Sequence, residues 1–211
     1  MKQRKHKLFL SLGLLAAFVL WTVLVRFVDV APIGPEGSVV GFAALNGWFH
    51  RLTGVHMALY SVTDWLSLIP LFIIFGFALL GLCQWIRRKS LWKVDPDIRI
   101  LGIYYIVVMA AYILFEYLVI NYRPVLIDGI PEASYPSSTT LLVLTVMPTA
   151  MLQLKERIQN RAFRNCVLVL LAAFALFMVA ARLLSGVHWL TDIIGGAILS
   201  AGLVGLYDSL T

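Results

Sequence analysis

Six apolar segments fill most of this sequence, and each is long enough to cross a lipid bilayer as a helix. The segments lie at about 8–28, 61–86, 98–120, 137–154, 165–184 and 188–208. A helix needs about 20 residues to span the hydrocarbon core, at a rise of about 1.5 Å per residue. Because no water satisfies backbone groups inside the bilayer, such segments must be helical. The sequence therefore predicts an all-α fold, a bundle of six transmembrane helices.

Composition indicates one membrane-embedded domain over residues 1–211. Hydrophobic residues make up 61% of the chain and charged residues 13%, and no polar stretch is long enough to fold by itself. The first segment follows a basic N-terminus, as in a signal peptide. Its apolar run is too long for a signal core and no small-residue cleavage site follows closely, so we expect a retained first helix.

The basic residues predict the orientation of the bundle. If the six helices alternate, thirteen of the 17 lysines and arginines fall on one side, which makes that side, with both chain termini, cytoplasmic. Topology therefore explains the net charge of +6, and we expect no nucleic-acid partner. The arginines left for the opposite side are Arg26, Arg51, Arg123 and Arg182. Binding an anion is a good reason for an arginine to lie there.

The segment between the first two predicted helices is apolar but interrupted by polar residues. It runs from Val39 to Tyr60 and includes Asn46, His50 and His56. This pattern predicts an interfacial or re-entrant helix, with the two histidines solvated at the membrane surface rather than catalytic.

Arg182, His188 and Asp192 form the pattern R-x5-H-x3-D at the start of the last apolar segment. Ionisable residues at a membrane boundary are costly and suggest function. Residues four apart share a helix face, so the carboxylate of Asp192 can reach back to the imidazole. Such a contact would hold Nδ1–H of His188 and leave Nε2 free as a nucleophile.

A second polar group precedes the fourth apolar segment. It contains Asn121-Tyr122-Arg123-Pro124 and, further on, Ser134-Tyr135-Pro136-Ser137-Ser138-Thr139-Thr140. Proline followed by serines is typical of a helix start, whose first backbone N–H groups are ready for an anion. With helix N-termini, arginines and a nucleophile on one side, the sequence predicts a phosphate-sized site that needs no metal and no cofactor.

These residues resemble the type 2 phosphatidic acid phosphatase (PAP2) family, which carries the motifs K-x6-R-P, P-S-G-H and S-R-x5-H-x3-D on a six-helix core. The resemblance implies metal-independent removal of phosphate from a lipid through a phosphohistidine on His188, with Asp192 orienting that imidazole. It also implies that Arg123 and Arg182 bind the phosphoryl oxygens. Ser137 and the backbone at Ser138 would assist them.

The sequence departs from the family motifs at several positions. Ala181 and Ser138 are mild changes from the motif serine and glycine. Glu116 stands where the first motif has lysine, and we interpret it as a structural partner of Arg123 or Arg182, or as a substitute acid. Thr139 stands where the second motif has the histidine that protonates the leaving group. A threonine hydroxyl cannot do this usefully near neutral pH.

The leading hypothesis is a multi-pass plasma-membrane phosphohydrolase with its site on the extracytoplasmic face, impaired by Thr139. Its substrate would be phosphatidate, phosphatidylglycerophosphate or undecaprenyl diphosphate. The alternative is a catalytically inactive protein that binds lipid phosphates. A transporter is disfavoured because the charges lie at one face rather than at the midplane. The lipid tail and the oligomeric state stay open.

Overall fold

The computed structural model describes residues 2–211, which form eight α-helices joined by short loops. The helices are α1 (Lys2–Phe27), α2 (Ala43–Thr53), α3 (Met57–Leu66), α4 (Leu68–Arg88), α5 (Pro96–Tyr117), α6 (Ser138–Arg157), α7 (Arg161–Leu184) and α8 (Leu190–Leu210). Within these residues, β structure is limited to isolated bridges. The all-α prediction is therefore confirmed.

Five helical stretches are long and apolar enough to cross a membrane, which makes this a multi-pass membrane protein. They are α1, α3 together with α4 (Met57–Arg88), α5, α7 and α8. The prediction gave six, and α6 accounts for the difference. This helix carries several threonines, Pro148 and Gln153, and half of its 20 residues are buried among the other helices. A central helix needs little lipid-facing apolar surface, so its hydropathy is low.

One end of the bundle gathers the start of α1, the end of α8 and the loops at 89–95 and 158–160. The Arg4 guanidinium donates to the carbonyl oxygens of Ser209 and Leu210. At the same end Arg157 Nη2 lies 2.6 Å from Asp97 Oδ2, which joins the last turn of α6 to the first turn of α5. Gln153 Nε2 of α6 also donates to the hydroxyl of Tyr207 in α8 at 2.5 Å, so the basic loops, the start of α1 and the end of α8 share one end of the bundle.

Helices α2 and α3 hold the turn between α7 and α8 at the opposite end. Asn46 Oδ1 accepts from the backbone N–H of Thr191 at 3.2 Å, and its Nδ2 donates to Thr191 Oγ1 at 2.9 Å. His50 Nε2 lies 3.1 Å from the carbonyl oxygen of Gly186. Gly186 has φ +69°, and a Cβ there would lie 1.9 Å from the Gly54 carbonyl oxygen. The predicted interfacial segment is thus helical, and its His50 contacts the turn between α7 and α8.

Helices α1 and α8 pack closely along their length because α8 carries glycines on the shared face. A Cβ on Gly202 would lie 2.9 Å from the Leu15 side chain, and one on Gly205 would lie 2.5 Å from Ser11 Oγ. Close backbone approach through small residues is typical of helix packing in membranes. It fixes the position of α8, whose first turn carries Asp192.

Candidate functional site

His188 lies in the short turn between α7 and α8 and is buried, with 2% of its surface exposed. Arg182 lies in the last turn of α7 and Asp192 in the first turn of α8, and both are also buried. The sequence prediction that these three residues share one site is consistent with this arrangement. Tight packing of the turn against α2 keeps His188 out of solvent.

The expected direct hydrogen bond between Asp192 and His188 is absent. Asp192 Oδ2 lies 3.9 Å from His188 Nδ1, which is too long for a hydrogen bond. The hydroxyl of Ser134 lies between them, 2.5 Å from Asp192 Oδ2 and 3.1 Å from His188 Nδ1. The difference arises because Asp192 faces inward from its helix toward the loop that precedes α6.

Asp192 is held by several donors besides Ser134. The backbone N–H of Trp189 donates to Oδ2 at 2.8 Å, and Asn121 Nδ2 donates to Oδ1 at 3.5 Å. The carbonyl oxygen of Asp192 also accepts from the backbone N–H of Ser137 at 3.1 Å. Three donors, from Ser134, Trp189 and Asn121, thus fix the orientation of one buried carboxylate. These bonds tie the starts of α6 and α8 together.

Both arginines of the predicted site form ion pairs with exposed carboxylates. Arg182 Nη2 lies 2.9 Å from Asp64 Oδ1, and Arg123 Nε lies 3.1 Å from Glu132 Oε2. Tyr60 lies beside both guanidinium groups, with its ring centre 4.9 Å from Arg182 Cζ and 5.7 Å from Arg123 Cζ. The two cations therefore converge on one tyrosine of α3.

Glu116 forms no ion pair with either arginine within residues 2–211, since the carboxylates that pair with Arg182 and Arg123 are Asp64 and Glu132. Its role as a structural partner of an arginine or as a substitute acid stays a prediction. Glu116 is exposed on α5, at the edge of a small cavity of about 10 Å³ that Ser134 and Ser138 also line. A closer carboxylate reaches each arginine.

Several buried polar atoms at this site have no hydrogen-bond partner within residues 2–211. They are Nε and Nη1 of Arg182, Nη1 of Arg123, and Nε2 of His188. Buried polar groups are almost always satisfied in proteins, so such a cluster calls for an explanation. Guanidinium nitrogens of two arginines and a ring nitrogen, all without partners, are what a site for a bound oxyanion requires.

The start of α6 borders the same site. Ser137 caps the helix, because its Oγ accepts from the backbone N–H of Thr140 at 3.4 Å and from Thr140 Oγ1 at 3.1 Å. Ser138 is half-buried and Thr139 is buried. The helix start predicted from Pro136 and the serines is confirmed, and its positive dipole end lies next to Asp192.

Sequence reasoning assigned no role to five residues that complete this arrangement: Tyr60, Asp64, Asn121, Glu132 and Ser134. Asp64 could have been identified from the sequence, because a carboxylate inside an apolar segment suggests function. Ser134 and Asn121 could not, since serine and asparagine are ordinary loop residues. Only the folded chain brings them to Asp192.

Burial lowers the pKa of His188 from 6.5 to about 4, the nearby Arg123 and Arg182 lower it as well, and Asp192 opposes them. The imidazole is therefore neutral at pH 7, the form in which Nε2 has a lone pair for attack.

This shift predicts loss of stability in acid. Between pH 6.5 and 4 the unfolded chain binds a proton at His188 that the folded protein excludes, so stability falls as the pH drops through this window. The contribution is up to about 1.4 kcal/mol per pH unit. We expect the melting temperature of the detergent-solubilised protein to fall less steeply with acidification in His188→Asn than in the unaltered chain. His6→Asn, at the far end of α1, is the control, and equal slopes for all three would contradict the prediction.

The carboxylates of Asp64 and Glu132 compete with any phosphate for the arginines. The side chain of Asp64 is 58% exposed and that of Glu132 is 42% exposed, so water screens each pair and we expect a contribution of about 1 kcal/mol. We therefore expect Asp64→Asn and Glu132→Gln each to tighten the binding of inorganic phosphate by up to about fivefold, measured by titration calorimetry. Asp208→Asn, which breaks the Lys7 pair at the opposite end, should leave it unchanged. Weaker binding in both site variants would show instead that these carboxylates orient the arginines for phosphate.

Comparison with known proteins gives two findings. The sequence profile of the PAP2 superfamily matches residues 103–208, half of the chain. The fold is similar to the crystal structure of the first transmembrane PAP2 type phosphatidylglycerolphosphate phosphatase from Bacillus subtilis, with a TM-score of 0.64, 16% identity and coverage of 94% of each chain. No curated protein matches the chain in sequence.

Proposed function

Because the chain belongs to the PAP2 superfamily, we propose that it is an integral-membrane lipid-phosphate phosphohydrolase that works without a metal through a phosphohistidine on His188. One observation carries the proposal: His188 Nε2 and nitrogens of Arg123 and Arg182 are buried with no hydrogen-bond partner in residues 2–211. A phosphoryl group would satisfy the arginines and present its phosphorus to Nε2.

In the proposed reaction, Nε2 of His188 attacks phosphorus while the bond from phosphorus to the lipid oxygen breaks. Arg123 and Arg182, with Ser137 and the backbone at Ser138, neutralise charge on the phosphoryl oxygens. Asp192 stabilises the positive charge that develops on the imidazole. Water then cleaves the phosphorus–nitrogen bond and releases phosphate. The leaving oxygen needs a proton that Thr139 supplies poorly, so turnover is slow.

We propose a six-span topology with both termini cytoplasmic and the site on the extracytoplasmic face of the plasma membrane, within one domain over residues 1–211. The length of α6 supports a sixth span, since 20 residues extend about 30 Å. Its first residues lie beside Asp192 and its last turn pairs with Asp97. The position of the basic loops at the same end of the bundle as the start of α1 and the end of α8 supports the orientation.

The substrate is a membrane lipid with a phosphate or diphosphate headgroup. Candidates are phosphatidate, phosphatidylglycerophosphate and undecaprenyl diphosphate. Phosphatidylglycerophosphate is the first to test, because the chain resembles a phosphatidylglycerolphosphate phosphatase in fold.

The test is phosphate release by purified protein in detergent, for the unaltered chain and for Thr139→His. We expect the variant to release phosphate from at least one of the three lipids. If the folded variant released phosphate from none of the three lipids, the hypothesis that the protein is a phosphohydrolase would be excluded.

A catalytically inactive protein that binds lipid phosphates is the second candidate. Two observations favour it: Thr139 lacks a usable proton, and Asp64 and Glu132 already pair with the arginines. Such a protein would bind a lipid phosphate in competition with inorganic phosphate, without turnover, and Thr139→His would not restore release. Retention of His188 and Asp192, which a binding protein does not need, favours the enzyme.

A further inference from the structure

Ser134 occupies the gap between the carboxylate and the imidazole of the site. It is buried, with 2% of its surface exposed. Its Oγ lies 2.5 Å from Asp192 Oδ2 and 3.1 Å from His188 Nδ1, whereas the carboxylate and the imidazole are 3.9 Å apart. Direct hydrogen bonding is excluded at that separation. The hydroxyl is therefore the hydrogen-bonded path between the two groups.

Counting hydrogens fixes the direction of both bonds. A serine hydroxyl has one hydrogen, and an ionised carboxylate only accepts. Ser134 must therefore donate to Asp192 Oδ2, which lies 2.5 Å from its Oγ. Ser134 Oγ is then left to accept from His188, so Nδ1 carries the hydrogen. Nε2 of His188 has the lone pair.

The backbone around Ser134 is held in place independently of this hydroxyl. The N–H of Ser134 donates to the carbonyl oxygen of Asn121 at 2.9 Å. The neighbouring Tyr135 packs against Gly195, where a Cβ would lie 2.6 Å from the tyrosine ring, and its hydroxyl lies 2.8 Å from Thr22 Oγ1. The position of Oγ is therefore set by α1, α8 and the loop at 118–137 rather than by its own two hydrogen bonds.

We infer that Ser134 is a positioning residue: Asp192 sets the tautomer and the orientation of His188 through the Ser134 hydroxyl rather than by direct contact. The effect of Ser134 on the reaction rate rests on the proposed function, in which His188 is the nucleophile. Ser134 lies outside the three motif regions that carry the family resemblance. The motifs therefore do not include this side chain among those that orient His188.

The kinetic test uses Thr139→His as the parent, because that form has the higher expected turnover. We expect Ser134→Ala to lower kcat by about 10²-fold or more, the scale of a mispositioned catalytic group. KM should change little, since the arginines remain. Ser134→Thr, which keeps the hydroxyl, should recover most of the rate. Ser200→Ala removes another buried serine hydroxyl, one that bonds to Gly196 O within α8, and should match the parent.

A double variant separates a relay from two independent effects. If Asp192 acts through Ser134, the combined Ser134→Ala and Asp192→Asn variant is no slower than Asp192→Asn alone. Additive losses, or an unchanged kcat in Ser134→Ala, would overturn the inference.

A measurement without turnover distinguishes failure of this inference from failure of the proposed function. In protein labelled with ¹⁵N-histidine, ring-nitrogen shifts report the tautomer, and His188→Asn identifies the resonance of His188. We expect the Nδ1–H form in the unaltered chain and a mixture of both forms in Ser134→Ala. A dominant Nε2–H form in the unaltered chain overturns the inference, whether or not any lipid is hydrolysed. Absence of phosphate release from the Thr139→His parent, with the expected tautomers present, would count against the function alone.

Discussion

Thr139→His should release phosphate from a lipid phosphate about 10²–10⁴ times faster than the unaltered chain, the range that a positioned general acid contributes. Thr139 lies in the first turn of α6, one residue from Ser138 and two from the Ser137 that bonds to the Asp192 backbone. An imidazole here could donate to the oxygen that leaves phosphorus, because histidine titrates near neutral pH. Phosphate release from detergent micelles at saturating lipid measures the effect.

Thr139→Gln is the matched control for this substitution. Glutamine has about the size of histidine and donates hydrogen bonds, but it does not transfer a proton near neutral pH. We expect its rate to stay near that of the unaltered chain. An equal gain in both variants would mean that the larger side chain improves binding or packing rather than proton transfer.

The gain should depend on the leaving group. A polyprenyl diphosphate expels a phosphate, which needs little protonation, whereas phosphatidate expels a poorly leaving alkoxide. The unaltered chain should therefore favour the diphosphate, and Thr139→His should accelerate phosphatidate hydrolysis more. Equal relative gains for the two lipids would contradict the assignment of a general acid to position 139.

His188→Ala should reduce phosphate release by at least about 10³-fold, as loss of a nucleophile does in enzymes whose catalytic residues act as a unit. The substitution is made in the Thr139→His parent so that a large loss can be measured. Binding of inorganic phosphate should persist, since Arg123 and Arg182 are unaltered. A phosphohistidine is labile in acid and stable in alkali, so radiolabelled lipid phosphate should label the parent and not the variant.

His6→Ala is the control for loss of a histidine. His6 is exposed on α1, at the end of the bundle opposite the candidate site. It should retain full phosphate release and full labelling. Labelled phosphoprotein in His188→Ala would show that another residue accepts the phosphoryl group.

The helices and the candidate residues could be predicted from sequence because their signals are local. Apolar runs longer than about 18 residues identify membrane helices, and Pro136 with Ser137 identifies the start of α6. Six spans were predicted, but only five helical stretches within residues 2–211 are apolar enough to count as spans. The sixth, α6, is surrounded by other helices and therefore needs little apolar surface. The threonines of α6 lower its hydropathy, yet they face other helices rather than lipid.

The sequence by itself determined the all-helical membrane fold, because long apolar runs must be helical in a bilayer, and it placed Arg182, His188 and Asp192 close together along the chain. Only the tertiary structure decided how these residues are connected. Ser134 reaches Asp192 across 58 positions, and Asp64 reaches Arg182 across 118. Such contacts depend on how α3, α7 and α8 pack, and no spacing along the chain encodes them. The predicted direct hydrogen bond between Asp192 and His188 is absent for the same reason, because Ser134 of the loop before α6 lies between the two side chains.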